Sequence, residues 1–130
     1  MQNLQQWFPA VGRVLIGLLF VSSAMKFMSV PMVTGYIASV GIPGAAAVFW
    51  LSTIVEVGAG LMLILGFRTR LAAWALFVFT GLTIVFFHND VADQAQFTAA
   101  LKNLAIMGGL LYVIMWEAGM RKENASAPMA

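Results

Sequence analysis

The chain has 130 residues, of which 62% are hydrophobic and only 9% are charged, and its mean hydropathy is +0.91. This composition leaves too little polar surface for a water-soluble domain and predicts one membrane domain. The net charge of +2 comes from seven scattered bases, which argues against nucleic-acid binding, and the absence of cysteine excludes disulfides and thiol redox chemistry.

Four apolar stretches are long enough to cross a bilayer, because a helix needs about 20 residues to span the hydrocarbon core. A glutamine-rich tail, residues 1–7, precedes the first of them. The membrane domain is expected over residues 8–116, with spans at residues 8–28, 45–66, 71–88 and 99–116. Residues 117–130 are charged, then small and polar, which predicts a disordered C-terminal tail. The expected fold class is an all-α membrane protein, a four-helix bundle.

Two longer connections separate these spans. Residues 29–44 form a linker in which the pattern favours a short surface helix from Met32 to Val40. Residues 89–98 are polar and predict a loop or a helical lead-in, with Asn89 or Asp90 as the N-cap.

The basic residues predict the orientation. Arg68 and Arg70 lie between spans two and three, and Arg121 and Lys122 lie in the C-terminal tail, whereas the other two loops contain no Lys or Arg. Because positive loops stay in the cytoplasm, both termini are expected inside a bacterial cytoplasmic membrane.

Glu56 lies at the centre of the second span, where a carboxyl group is costly unless a cation or donor meets it. It shares a stripe with Ser52 and Gly60 that allows close helix packing. Helical rise places Arg13 at a similar depth, and a guanidinium can bind a carboxylate bidentately, so an ion pair between Arg13 and Glu56 is expected. The pair either only sets helix register or also anchors a ligand head group or relays protons.

The remaining polar residues lie near the expected outer helix ends. His88 is either a hydrogen-bonded interfacial residue or a proton-exchanging one. Lys102 either extends to the interface or binds a ligand, Asn103 is expected to hydrogen-bond another helix, and Lys26 is expected to extend outward. One histidine and no cysteine argue against a metal site.

Several stretches together resemble the DoxX family of bacterial membrane proteins. They are Gly12–Arg13 with Leu15 and Gly17, Gly41–Ile42–Pro43, Glu56 to Gly60 and on to Gly66, Thr69–Arg70, Phe87–His88, and Lys102 to Ala105 with Gly108 to Leu111. The likeness runs from Arg13 to Val113. It implies a four-helix bundle whose recurrent polar positions are matched here by Arg13, Glu56, His88, Lys102 and Asn103.

The resemblance also implies a function, since family members are described as oxidoreductase subunits and some are linked to thiosulfate:quinone oxidoreductase. The leading hypothesis is a quinone-interacting membrane subunit. In it Arg13, Lys102, Asn103 or His88 hydrogen-bonds a quinone carbonyl, and His88 or Glu56 exchanges the protons. Electrons come from a redox partner or from the quinol itself. The alternatives are a small proton-coupled transporter or permeability protein, and a non-catalytic assembly subunit. Glycine-rich faces on helices two and four suit either internal packing or a homo-oligomer.

Overall fold

The structure is a computed structural model that describes the backbone of residues 2–126 and the side chains of residues 4–26 and 28–119. This part of the chain is helical and contains no β-strand. Its elements, in order, are α1 (Gln2–Gln5), α2 (Phe8–Val21), a 3-10 helix (Ser22–Ser29), α3 (Val30–Ser39), α4 (Ala45–Leu65), α5 (Thr69–Phe87) and α6 (Gln94–Ser126).

Four segments are long and apolar enough to cross a membrane, which confirms the expected bundle. They are Phe8–Lys26, Ala45–Leu65, Thr69–Phe87 and Gln94–Gly119. Helix α2 packs against α4 and α6, and α5 packs against the same two helices, so the four form a closed ring of antiparallel neighbours. Large apolar side chains cover the outside of the ring, as a lipid-facing surface requires. That the termini lie in the cytoplasm stays a prediction.

The two ends of the bundle differ. The basic end holds Phe8, the turn with Arg68 and Arg70, and Trp116; the α3 end holds the 3-10 helix, α3 and His88. At the basic end the turn after α4 is made possible by Gly66, whose φ of 73° suits a residue without Cβ. The Phe67 N–H donates to the Met62 carbonyl, which closes a Schellman motif and lets α5 start at Thr69.

A close contact between α2 and α4 fixes their register. A Cβ on Gly17 would lie 2.7 Å from the Gly60 carbonyl oxygen, and a Cβ on Gly60 would lie 3.0 Å from the Gly17 carbonyl oxygen. The small-residue stripe predicted on the second span therefore does bring a neighbouring backbone close.

The linker between α2 and α4 is more helical than expected. Its α3 runs from Val30 to Ser39 and confirms the short helix, but the preceding 3-10 helix, Ser22–Ser29, was expected as span and loop. Ile37 of α3 is buried, and the Tyr36 hydroxyl donates a hydrogen bond of 3.3 Å to the Phe87 carbonyl. Helix α3 therefore packs across the end of the bundle.

Helix α6 also departs from the sequence expectation. It continues beyond Trp116 to Ser126, so the predicted disordered tail is helical as far as that residue, and residues 127–130 lie outside the described chain. At its start, the Asp93 carboxylate accepts backbone N–H bonds from Ala95 and Gln96, whereas Asn89 or Asp90 was the expected cap.

A dry core occupies the half of the bundle toward the basic end. It is built from buried apolar side chains of all four spanning helices: Phe20, Ala59, Leu63, Ala72, Ala73, Leu76, Leu110 and Ile114. The ring is therefore filled on this side, and open space is left to the other half.

We expect Gly17→Ala to lower the free energy of unfolding by about 1–3 kcal/mol, because the new methyl group would force α2 away from the Gly60 backbone. Thermal unfolding of detergent-purified protein measures the loss. Gly12→Ala on the same helix is the matched control, since its Cβ meets nothing within 4 Å and alanine favours a helix by about 1 kcal/mol. Equal stabilities of the two variants would contradict the register contact.

Candidate functional site

A cavity of about 740 Å³ opens in the half of the bundle toward the α3 end. Its walls are mostly apolar and aromatic, with contributions from Phe20, Ile37, Phe79 and Phe86. Its polar side chains come from the 3-10 helix, α3, α4, α5, α6 and the residue after α5: Lys26, Tyr36, Ser52, Glu56, Thr80, Thr83, His88, Lys102 and Asn103. An apolar chamber with a few convergent polar groups is the usual form of a small-molecule site.

The deepest polar group is an ion pair between Lys26 and Glu56. Glu56 is 8% exposed, and Lys26 Nζ donates a hydrogen bond to its Oε1. The Ser23 hydroxyl also faces this carboxyl group. The ammonium compensates a carboxylate that the surrounding apolar helix could not hold alone. The pair therefore forms the polar floor of the cavity, directly above the dry core.

A second polar group lies at the cavity's other end. Asn103 Nδ2 donates a hydrogen bond of 3.1 Å to Thr83 Oγ1, which joins α6 to α5 and confirms the expected interhelical bond of Asn103. His88 follows the last residue of α5, and Lys102 lies close enough to repel its protonated form. Burial, and then the charge of Lys102, hold the pKa of His88 below its usual value, so the imidazole is neutral at pH 7.

Two buried polar atoms in the cavity wall have no hydrogen-bond partner within the described chain. They are Oγ1 of Thr80 and Nδ1 of His88. A buried polar atom without a partner costs about 1–3 kcal/mol, and a bound polar group would remove that cost. Thr80 is near the middle of α5 and His88 is at its end, so the two atoms mark two levels of the cavity.

Arg13 does not take part in this cavity. It lies at the basic end, with Nη1 3.7 Å from Oε1 of Glu117 and its guanidinium against Gly66. The expected contact between Arg13 and Glu56 is therefore wrong, and the reason is helix register. With Gly17 opposite Gly60, Arg13 is about 12 Å from the level of Glu56 along the helix axis, beyond the reach of its side chain.

Lys26 was expected to extend outward and instead extends inward. The 3-10 helix places it only a few residues beyond the level of Glu56, and its flexible stem covers the remaining distance. The pair could have been found from the small residues of the first two spans. Matching Gly17 to Gly60 sets the register of α2 against α4 and brings Lys26 near Glu56. Thr80 and Thr83 were missed because threonine is common in membrane helices and gives no spacing signal.

The comparisons with known proteins identify the family of the chain. The DoxX family model matches residues 8–89, and the chain is 32% identical over 114 residues to the inner membrane protein YqjF of Escherichia coli, with 85% of each chain covered. This chain belongs to the DoxX family. It is a multi-pass inner membrane protein, as the relative's name and the four apolar helices indicate. No solved structure matches it significantly.

The family match covers α2 to α5 of this DoxX protein and ends just after His88. It therefore includes the Lys26–Glu56 pair and the two unpartnered wall atoms. Helix α6 lies beyond the matched residues and completes the cavity with Lys102 and Asn103.

We expect Lys26→Met to destabilise this DoxX protein, because the Glu56 carboxyl group would be left in an apolar helix without the ammonium that compensates it. Breaking a fully buried pair costs about 3–5 kcal/mol, and the cost here is smaller because Lys26 keeps 28% of its side chain exposed. Adding Glu56→Gln should restore most of the loss. The measurement is a double-mutant cycle on thermal unfolding in detergent.

Arg13→Met is the matched control for this cycle. The changes that Arg13→Met and Glu56→Gln make in the free energy of unfolding should simply add, since the two side chains lie at different depths along the bundle. A large coupling energy between Arg13 and Glu56, together with no coupling energy between Lys26 and Glu56, would show that Arg13 is the partner of Glu56 instead.

We expect Lys102→Met to raise the pKa of His88, because the removed ammonium no longer opposes protonation of the imidazole. His88 is the only histidine of the chain, so labelled histidine gives one titrating NMR signal if the affinity tag contains none. Arg70→Met, at the basic end, should leave the midpoint unchanged. An identical titration midpoint of His88 in the wild type and in Lys102→Met would refute the interaction between His88 and Lys102.

Proposed function

We propose that this cavity binds the head group of a quinone and that the chain is a quinone-interacting membrane subunit of an oxidoreductase. What carries the proposal is that one mostly apolar chamber inside a membrane bundle has hydrogen-bonding groups at both of its ends. A quinone combines an apolar ring with carbonyl oxygens that need donors. The size of the chamber lies within the range of about 300–1,000 Å³ that is usual for small-molecule sites.

The residues present fit such a head group. Lys102 and Asn103 offer N–H donors at one end of the cavity, and the Thr80 hydroxyl offers an O–H donor deeper in the wall. The apolar walls would hold the ring. When bound, a quinone supplies two-electron chemistry that is coupled to proton uptake.

Two groups of this chain line the cavity where a bound head group would need a proton or a hydrogen-bond partner. His88 is neutral at pH 7 and its Nδ1 is buried in the cavity wall without a hydrogen-bond partner, so it could accept a proton or a hydrogen bond from a bound head group. Glu56 is at the floor with Lys26, where the ammonium holds the carboxylate ready to accept a hydrogen bond. Electrons would come from a redox partner or from the quinol itself.

The proton-coupled transporter is less well supported. A carrier glutamate must titrate freely, whereas Glu56 is engaged by Lys26. The dry core also fills the bundle between Glu56 and the basic end. These two features favour a site that opens on one side over a path through the bundle.

Quantification of ubiquinone and menaquinone by mass spectrometry in the organic extract of purified protein tests the proposal. We expect about one quinone per chain in the wild type and strong loss in Lys102→Ala, which removes a donor from an exposed side chain that has no ion pair. Arg13→Gln is the matched control and should retain the quinone, since Arg13 lies outside the cavity.

A quinone content no higher than that of the surrounding lipid would overturn the proposal. In that case, transport of an amphipathic solute into proteoliposomes would support the carrier, and a stoichiometric co-purifying protein would support the assembly subunit.

A further inference from the structure

We propose that the groove between α2 and α6 at the basic end binds a zwitterionic phospholipid head group of the phosphoethanolamine class. This groove has a volume of about 620 Å³ and is separate from the cavity at the α3 end. Its two charged residues are Arg13 of α2 and Glu117 of α6. The site therefore presents one cation and one anion side by side.

The two charges do not satisfy each other. Nη1 of Arg13 and Oε1 of Glu117 are 3.7 Å apart, which is longer than a hydrogen bond, and Nε of Arg13 is buried without a partner. A phosphate oxygen would take the free guanidinium N–H groups in the charge-assisted bonds that arginine favours. The neighbouring carboxylate could then accept N–H bonds from a primary ammonium.

This pattern selects among head groups. Phosphoethanolamine carries a phosphate and a primary ammonium on a short linker, so it complements both Arg13 and Glu117. A purely anionic phosphoglycerol group would place its charge near the Glu117 carboxylate with no ammonium to offset it. A phosphocholine group has no N–H to donate. The pair therefore favours the primary amine head group.

The walls of the groove indicate that its occupant comes from the bilayer. Phe8, Tyr112 and Trp116 line it and are largely exposed on the outside of the ring, where the surrounding medium is lipid. Gly12 leaves its floor open, since a Cβ there would meet nothing within 4 Å. Tryptophan and tyrosine at this level mark the depth of the lipid head groups. An acyl chain could thus lie along the groove below its own head group.

Native mass spectrometry of the delipidated full chain in detergent tests the site. The probe is an equimolar mixture of phosphatidylethanolamine, phosphatidylglycerol and phosphatidylcholine with identical acyl chains. We expect one retained phosphatidylethanolamine per wild-type chain. Arg13→Gln should reduce retention about tenfold or more, as loss of a charge-assisted contact predicts. Arg70→Gln is the matched control, because Arg70 is an exposed base at the same end but outside the groove.

Glu117→Gln keeps the test decisive if Arg13→Gln folds poorly. Removing the carboxylate should leave phosphate binding intact and shift retention from phosphatidylethanolamine toward phosphatidylglycerol. Equal retention of the three lipids by the wild type would overturn the proposal, as would equal losses in Arg13→Gln and Arg70→Gln. A lipid-free dimer that Arg13→Gln disrupts would assign the groove to a second copy of the chain instead.

Discussion

The ion pair between Lys26 and Glu56 is the constraint on which the rest of the membrane domain depends. A carboxylate in the middle of an apolar helix requires a cation, and the cation must reach it from another element. The register of α2 against α4 and the fold of the linker back over the bundle both serve that contact. Without Lys26 the cavity would lose the cation at its polar floor.

The two halves of the bundle have different physical roles. Toward the basic end, small residues and interlocked apolar side chains fill the ring and give it a fixed register. Toward the α3 end, aromatic walls and polar groups leave open space. The same four helices thus provide a rigid support and a chamber, and the ion pair lies at the boundary. Helix α4 contributes to both halves along its length.

The sequence was informative wherever a property depends on one helix at a time. Length and hydropathy predicted all four spans, and the cost of burying Glu56 predicted a polar interior. Pairing was harder, because it depends on register between helices, and helical rise counted from assumed span ends matched Glu56 to Arg13. The contact of Gly17 with Gly60 sets a different register, which places Lys26 and not Arg13 within reach of Glu56. His88, Lys102 and Asn103 could be named from the sequence, but only the packing of α5 against α6 brings them into one chamber.

The 3-10 helix from Ser22 to Ser29 has a consequence for the polar floor of the chamber. Runs of this helix longer than three or four residues are uncommon, because their backbone hydrogen bonds are poorly aligned, so this segment is among the easiest to open locally. It also carries Lys26. Any displacement of this segment would therefore move the ammonium relative to Glu56, so the backbone geometry of Ser22–Ser29 determines how well the buried carboxyl group is compensated.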